Sequence, residues 1–546
     1  MSGIIIILFA MIVFSFSYKY YGGYITRKLN VSNSKETPSH TMYDGVDYCP
    51  AKTPVLVGHH FASIAGAGPI VGPIIAASFG WIPVYVWILI GATFIGGVHD
   101  YTSIVASVRH KGKSIGQIID TYIGRNGKKL FLLFAWATLI LVIAVFMLIV
   151  AKTFESIPSS GTSSLLFILL AVAFGLTVYK YKYSLWISSL VGVALLFFCI
   201  YLGNLFPLQL SSQVWTFILI GYIFVASVTP VWILLQPRDY LNSYFLYSLM
   251  IGGIVGLFFT FPEVHLAPVT NFSIDKIGYL FPALFVTVAC GAISGFHSIV
   301  GSGTTSKQLD RESDARVVGY GSMLIEGILA VLALLSVASL DQHHFLKLLE
   351  SKGAVAAFST GVANFIHNIP LLNISTSVAT NFAALAVSAF ALTTLDTATR
   401  LARFTFQEFF EVKVKEKKEQ SVLVKNRFVA TTITVAVGAA LTFSGQTMSI
   451  WPVFGSANQL LAAIALLAIT VWISNLKLNF SFTMIPMIFM FAVTLTALIT
   501  LFYTNFINNN YILSVISVLL FVLAVILALQ AYRVLRQSNK EVELVK

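Results

Sequence analysis

Apolar residues occur along this chain in long blocks, not in the short alternations of strands or the one-sided stripes of soluble helices. Blocks long enough to cross about 30 Å of hydrocarbon fall at 3–21, 54–77, 84–108, 128–151, 163–181, 184–206, 214–236, 242–262, 277–303, 316–340, 374–400, 426–446, 456–475, 482–505 and 509–533. They predict an all-α, polytopic membrane protein of about 15 transmembrane helices. Three stretches lie outside the blocks: a lead-in over 23–53, an outer loop over 341–370 with short helices, and a charged linker over 401–424. The linker's EVKVKEKKEQ run is expected to be a solvated helix face.

The polar positions between blocks set the topology. Basic residues crowd every second loop: Arg109, Lys111, Lys113, Arg125, Lys128 and Lys129, then Lys180 and Lys182, then Arg238, then Lys307, Arg311 and Arg316, then the run from Arg400 to Arg427, then Lys477 and finally Arg533 and Arg536. The loops between, such as 203–213 and 506–510, are almost free of them. Cytoplasmic loops carry such an excess. The N-terminus is therefore expected outside and the C-terminus inside.

Composition adds little to that picture. The chain has 546 residues, 57% hydrophobic and 10% charged, with a mean hydropathy of +0.85, which excludes an ordinary soluble domain. The formal net charge of +12 is accounted for by the basic loops and does not call for nucleic acid. Cys49, Cys199 and Cys290 are far apart and form neither a disulfide framework nor a metal motif. The apolar 3–17 stretch lacks a basic leader and a cleavage site, and reads as a retained first span.

One block departs from a plain anchor. Residues 54–77, PVLVGHHFASIAGAGPIVGPIIAA, hold His59 and His60, with Pro69 and Pro73. Proline removes a backbone donor and pushes the residue before it out of helical geometry. The carbonyls of Ala65 and Pro69 lose their helical partners, close to the bilayer midplane. Free carbonyls are tolerated there only against protein, water or a ligand. Broken helices at the midplane are where secondary transporters bind substrate and ions.

A second proline, Pro230, interrupts 214–236 after Thr229 and frees the carbonyl of Ala226. Each of two five-span halves, 54–206 and 214–400, then opens on an interrupted span. An odd number of crossings inverts the second half. That is the five-plus-five inverted repeat of LeuT-type transporters, with one N-terminal helix and four C-terminal helices outside it.

Polar groups inside the blocks are the candidate chemistry, since charges in spans are costly. In CGAISGFHSIVGSGTTSKQ, Ser294, Ser298 and Ser302 recur every four residues, and Gly291 and Gly295 do the same, so the face suits either close helix packing or a hard-oxygen ion site with Thr304, Thr305 and Ser306. His297 is either a proton site or a bonded core histidine. Asp100 and Glu326 fall at similar depth and are expected to share a proton, an ion or a basic partner, or else to pair separately. Asp396 and Arg400, spaced i, i+4, form an ion pair or a gate.

The motifs GHHFASIAGAGPIVGP, WIP, GKSIG, LLQPRDYLNSY, GAISGFHSIVGSGTTSKQL, RVVGYGSMLIE, TTLDTATRLARF and WPVFGSANQLLAA resemble, in one order, the carbon starvation protein A family. The resemblance covers most of residues 43–465. It implies the LeuT-type core of the amino acid–polyamine–organocation superfamily and uptake of peptides or pyruvate when carbon is scarce. The C-terminal end departs from the longer tail of larger relatives.

The expected protein is a secondary active importer in the bacterial inner membrane, not an enzyme. With no P-loop for ATP, a proton or sodium gradient drives it. Substrate is expected against His60, Phe61, Ala65, Gly66, Gly68, Thr229, Trp232, Ser294 and His297. Its carboxylate would meet free N–H groups around Ile70–Gly72 and Val231–Ile233. Ion coupling is assigned to His59, Asp100, Ser298, Ser302, Thr304, Thr305 and Glu326, and gating to Asp396 and Arg400. Two other readings stand beside it. His59, His60 and His297 would suit a metal- or haem-binding membrane oxidoreductase, and a nutrient sensor without transport is the third.

Overall fold

The computed structural model describes residues 2–274, 277–370, 372–411, 426–443 and 447–544. Helix dominates them, as lipid requires of a chain with this many apolar blocks. In order the helices are α1 Gly3–Lys28, α2 Thr53–Ile64, α3 Gly68–Phe79, α4 Trp81–Arg109, α5 Ile115–Tyr122, α6 Arg125–Ser156, α7 Pro158–Lys180, α8 Leu185–Leu205, α9 Ser212–Val228, α10 Leu235–Thr260, α11 Leu280–Thr287, α12 Gly295–Gly303, α13 Glu312–Ala338, α14 Gln342–His367, α15 Thr376–Phe410, α16 Arg427–Phe443, α17 Thr447–Asn475, α18 Ser481–Ile507 and α19 Tyr511–Leu544. One small antiparallel pairing joins β1 Ser273–Ile274 to β2 Gly278–Tyr279, with Ser273 opposite Tyr279.

Local chemistry marks the helix starts. Ser114, Ser211, Asp341 and Ser375 cap α5, α9, α14 and α15 through their side-chain oxygens. Pro54, Pro69 and Pro158 sit in the first turns of α2, α3 and α7, where a missing N–H is harmless. The outer loop forms α14, with helix on each side of Gly353.

Among the described residues, 11 helices can cross a membrane by length and composition, or 12 with α2 and α3 taken as one span bent by 43°. The protein is a multi-pass, all-helical membrane protein. The expected count of about 15 is not reached by that test. The helices α9 and α16 are short, and the 277–303 block is split into α11 and α12.

That split corrects the expectation of a continuous span. No proline causes it. The chain leaves the helix at Val288 and resumes at Gly295. A second correction concerns 214–236, which is not a span broken at its middle. The helix α9 stops at Val228, because Thr229, before Pro230, is extended (φ −75°, ψ 143°). A turn leads directly into α10. A third concerns 401–424: α15 continues to Phe410, and the charged run over 412–425 lies outside the described residues.

The packing has a two-fold pattern. The two long helices α6 and α15 pack most extensively on each other. Each also takes α9 and α16 as neighbours. The half-helix α3 packs on α13 as α12 packs on α4; α2 lies on α10 as α11 lies on α17; and α5 bridges α6 and α17 as α14 bridges α15 and α10. The inner helices are α13 and α17, whose most apolar windows are 89% and 100% buried, against 28% for α1 and 22% for α8. Side chains such as Phe9, Trp186, Leu190 and Ile485 therefore face outward, towards lipid.

The basic loops meet at one end of the bundle, here called the basic end. Arg109 bonds Glu312 at 2.7 Å, Thr37 and Ser39 bond the Leu309 carbonyl, and the Ala51 N–H bonds that of Gln308. The lead-in over 29–52 thus lies across this end.

Candidate functional site

Two broken spans cross near the centre. His60 meets Thr305, Gly68 lies against Cys290, and Gly72 against the Thr287 carbonyl. Residue numbers rise along one span as they fall along the other, so the spans run antiparallel. Closeness is extreme: a Cβ on Gly68 would stand 2.4 Å from Cys290 Sγ, and one on Gly66 2.6 Å from Thr394 Oγ1. The partner of the 65–67 break is therefore the 288–294 break, not 225–231 as expected.

The crossing carries a buried chain of acids and imidazoles. His99 Nδ1 lies 2.8 Å from Asp100 Oδ1, and His297 Nδ1 lies 2.9 Å from Asp100 Oδ2. On its other side, His297 Nε2 is 3.6 Å from Glu326 Oε2. All four side chains are fully buried or within 1% of it. Neither oxygen of Glu326 has a hydrogen-bond partner among the described residues, and the Nε2 atoms of His59, His60 and His99 also lack one. Of the readings open for Asp100 and Glu326, the geometry places His297 between them.

A second network lies on the opposite flank of α2. His59 Nδ1 is 2.8 Å from Asp239 Oδ2, and Ser63 Oγ reaches the same oxygen at 3.4 Å. Arg238 donates to Asp239 Oδ1 from Nε at 3.0 Å and from a terminal nitrogen at 2.6 Å. It also pairs with Asp396 and bonds Tyr222, whose hydroxyl donates to Asp396 Oδ2 at 2.5 Å. Arg400 closes the basic end. It donates to the Ala226 carbonyl at 2.8 Å and to that of Thr229, and pairs with Asp47 at 3.3 Å. The Ala226 carbonyl that Pro230 frees is thus held by a guanidinium.

Several expectations change on this geometry. Asp396 and Arg400 do not pair with each other; each takes a partner from another segment. Arg238, expected in a loop, is 1% exposed inside the bundle. Thr229 donates its hydroxyl to the Val225 carbonyl at 2.8 Å, and Trp232 faces the lead-in, its indole donating to the Gly45 carbonyl at 3.2 Å. The N–H groups expected to be free are bonded: Val231 to Val46, Ile233 to Pro230, and Ile70 and Val71 to Ala67. The hydroxyls of Ser298, Ser302, Thr304 and Ser306 donate to carbonyls of their own helix and its extension, at Gly295, Ser298, Val300 and Ser302. Thr305 bonds His60 at 2.8 Å instead. His59 and His60 reach different helices, as neighbours about 100° apart on α2 should. Phe61 stacks on Tyr247 with ring centroids 5.5 Å apart, and Ala65 ends α2 beside the crossing.

Sequence reasoning passed over Asp239, Tyr222 and Asn458. Asn458 Oδ1 accepts the Phe296 N–H at 2.9 Å and its amide donates to Ser294 at 3.0 Å, so it caps the start of α12. The available signals were an Arg-Asp pair and an Asn-Gln pair inside apolar surroundings. Among the described residues no group of three or more His, Cys, Asp or Glu side chains is arranged to hold a metal ion.

A family model described as carbon starvation protein CstA matches residues 2–356 and 347–497. The chain is 32% identical over 507 residues to the peptide transporter CstA of Bacillus subtilis (strain 168), covering 86% of this chain and 84% of that one. It is 29% identical over 593 residues to the pyruvate/proton symporter BtsT of Escherichia coli (strain K12), covering 92% and 82%. A crystal structure of a manganese transporter mutant from Eremococcus coleocola aligns with a TM-score of 0.48 at 12% identity, covering 91% of this chain and 99% of that one. The matched curated relatives are named as transporters and not as enzymes. On the match along its length, the chain belongs to the carbon starvation protein CstA family.

Proposed function

We propose that this chain imports small carboxylate-bearing nutrients, peptides and/or pyruvate, across the bacterial inner membrane during carbon starvation, by alternating access coupled to the proton gradient. The observation that carries it is the buried Asp100–His297–Glu326 chain beside the crossing of two broken spans. Relatives named a peptide transporter and a pyruvate/proton symporter support the substrate class. Protons suit the site, because two carboxyls stand with imidazoles and, among the described residues, with no lysine or arginine.

The packing pattern supports a LeuT-type pair of repeats with revised limits. The first comprises α2 to α6 with α9 and α10, and α7 and α8 are an inserted hairpin. The second comprises α11 to α17. Their antiparallel broken spans, α2–α3 and α11–α12, would form the substrate crossing. The basic end faces the cytoplasm, with the N-terminus outside and the C-terminus inside. His59 and His60 lie on the basic side of the break, where proton release and gating suit them. Arg400 with Asp47 and the Asp396–Arg238 pair would close that exit.

The test is uptake of labelled pyruvate and of di- and tripeptides into proteoliposomes under imposed proton or sodium gradients. Accumulation under the proton gradient is expected. Accumulation under sodium alone would remove the coupling assignment, and none under any gradient would remove the transport reading.

A further inference from the structure

Below His60, towards the basic end, two cations are held by rings and, among the described residues, by no acid. Lys307 follows the Thr305 that bonds His60. Its ammonium lies 4.5 Å from the Phe404 ring centroid and 5.3 Å from that of Tyr48. The Arg403 guanidinium lies 4.3 Å from the same Phe404 ring. Arg403 is 3% exposed, and its Nε has no hydrogen-bond partner among the described residues. Among the described residues neither cation forms an ion pair. The nearby carboxylates are committed elsewhere. Asp47 pairs with Arg400, Glu408 takes Lys128 at 3.5 Å and the Ser114 hydroxyl at 2.7 Å, and Asp44 accepts the N–H groups of Val46, Asp47 and Tyr48. A buried charge without a partner, as at Arg403, is expensive, and Lys307, half-buried, brings a second like charge to the same ring. Two like charges converging on one ring are more so, unless an anion visits them.

We propose that Lys307 and Arg403, framed by Tyr48 and Phe404, form a carboxylate-binding vestibule at the basic end, distinct from the crossing of the broken spans. It takes the carboxylate of a monocarboxylic acid or of a peptide C-terminus on the way between the crossing and the basic end. Arg403 supplies a planar donor fork, Lys307 a point charge, and the rings hold both cations when the ligand is away. The vestibule deepens the transport reading above and rests on it.

The experiment compares pyruvate exchange in membrane vesicles of both orientations. Lys307→Gln and Arg403→Gln are each expected to raise the half-saturating pyruvate about ten-fold when the basic end faces the bath, and less than about two-fold from the other end. Lys307→Arg, which keeps the charge, should stay within about three-fold of the parent, and Arg403→Lys, which loses the fork, should fall between. Equal shifts from both ends, or no shift, overturn the vestibule. If the parent chain carries no carboxylate at all, the transport reading fails on that result alone. The vestibule is then judged on labelled pyruvate binding to the purified full chain. Loss of binding in both glutamine variants, with uncharged pyruvamide failing to compete, upholds it; unchanged binding overturns it.

Discussion

The two buried networks that flank α2 use the same residue types to opposite ends. On the His59 side each carboxylate touches a guanidinium: Asp239 and Asp396 share Arg238, and Asp47 takes Arg400. On the His60 side Asp100 and Glu326 have only imidazoles beside them. An arginine keeps its charge at any working pH, so the first network's carboxylates keep a fixed countercharge, and apart from His59 it changes by moving apart. The second has no fixed countercharge and can change by taking or losing protons. One network suits a lock, the other a coupling site. Each prediction below asks whether that division is real.

The largest effect is expected at Arg238. Replacing it with Ala leaves Asp239 and Asp396 buried without their shared cation, at a cost of about 3–5 kcal/mol. Thermal unfolding in detergent should show a large fall in stability, with little folded protein at ambient temperature. A variant as stable as the parent would mean the arginine network is not a lock.

Glu326→Gln should act in the opposite way. Neither carboxyl oxygen has a hydrogen-bond partner among the described residues, so the isosteric amide should change stability by less than about 1 kcal/mol. Proton-driven accumulation of pyruvate should fall about 100-fold, while exchange without a gradient continues. Loss of accumulation and exchange together would mark Glu326 as structural.

Third in size is the crossing on which both networks hang. Gly68→Ala places a methyl 2.4 Å from Cys290 Sγ. The strain should be about 1–3 kcal/mol and should slow transport with both networks intact. Cys290→Gly removes the obstructing side chain, and the double variant should recover. At Gly72 the obstacle is the Thr287 backbone carbonyl, also at 2.4 Å, so Gly72→Ala should find no such rescue. Rates for the two variants and the double variant check this; a Gly68→Ala protein with normal rates would mean the crossing has slack.

What could be read from the sequence divides along the same physical line. The spans and the 65–67 break were legible because length, apolarity and proline act locally: Gly68–Pro69 starts a helix wherever it lies. The break at 288–294 was hidden, since it comes from close packing against α3 and not from a local breaker. Pro230 misled for the converse reason. It ends a helix at an end and not in the middle, and the sequence alone does not say how far a helix extends beyond a proline. Burial of Asp100, Glu326 and His297 was foreseeable from their apolar surroundings, while a partner shared by the two acids was only one of two readings. That the partner is His297 required the antiparallel crossing, which brings α4, α12 and α13 together. Arg238 was misplaced because a basic residue between two apolar blocks looks the same whether it enters a loop or pairs with acids from distant segments.

The smallest effect is the sharpest test. Tyr222→Phe removes one hydroxyl, which donates to Asp396 and accepts from Arg238. Asp396 keeps Arg238 and Arg238 keeps Asp239, so the loss should be about 1 kcal/mol, read as a small drop in the unfolding midpoint. If the arginine network is only a lock, a looser lock should leave the ratio of protons to pyruvate moved unchanged and shift exchange rates by less than about ten-fold. A changed ratio would show that Asp396 also takes part in proton movement, through the Tyr222 hydroxyl, and the division between the two networks would fail. An unchanged ratio here, set against the lost accumulation expected of Glu326→Gln, would place coupling on the His297 side of α2.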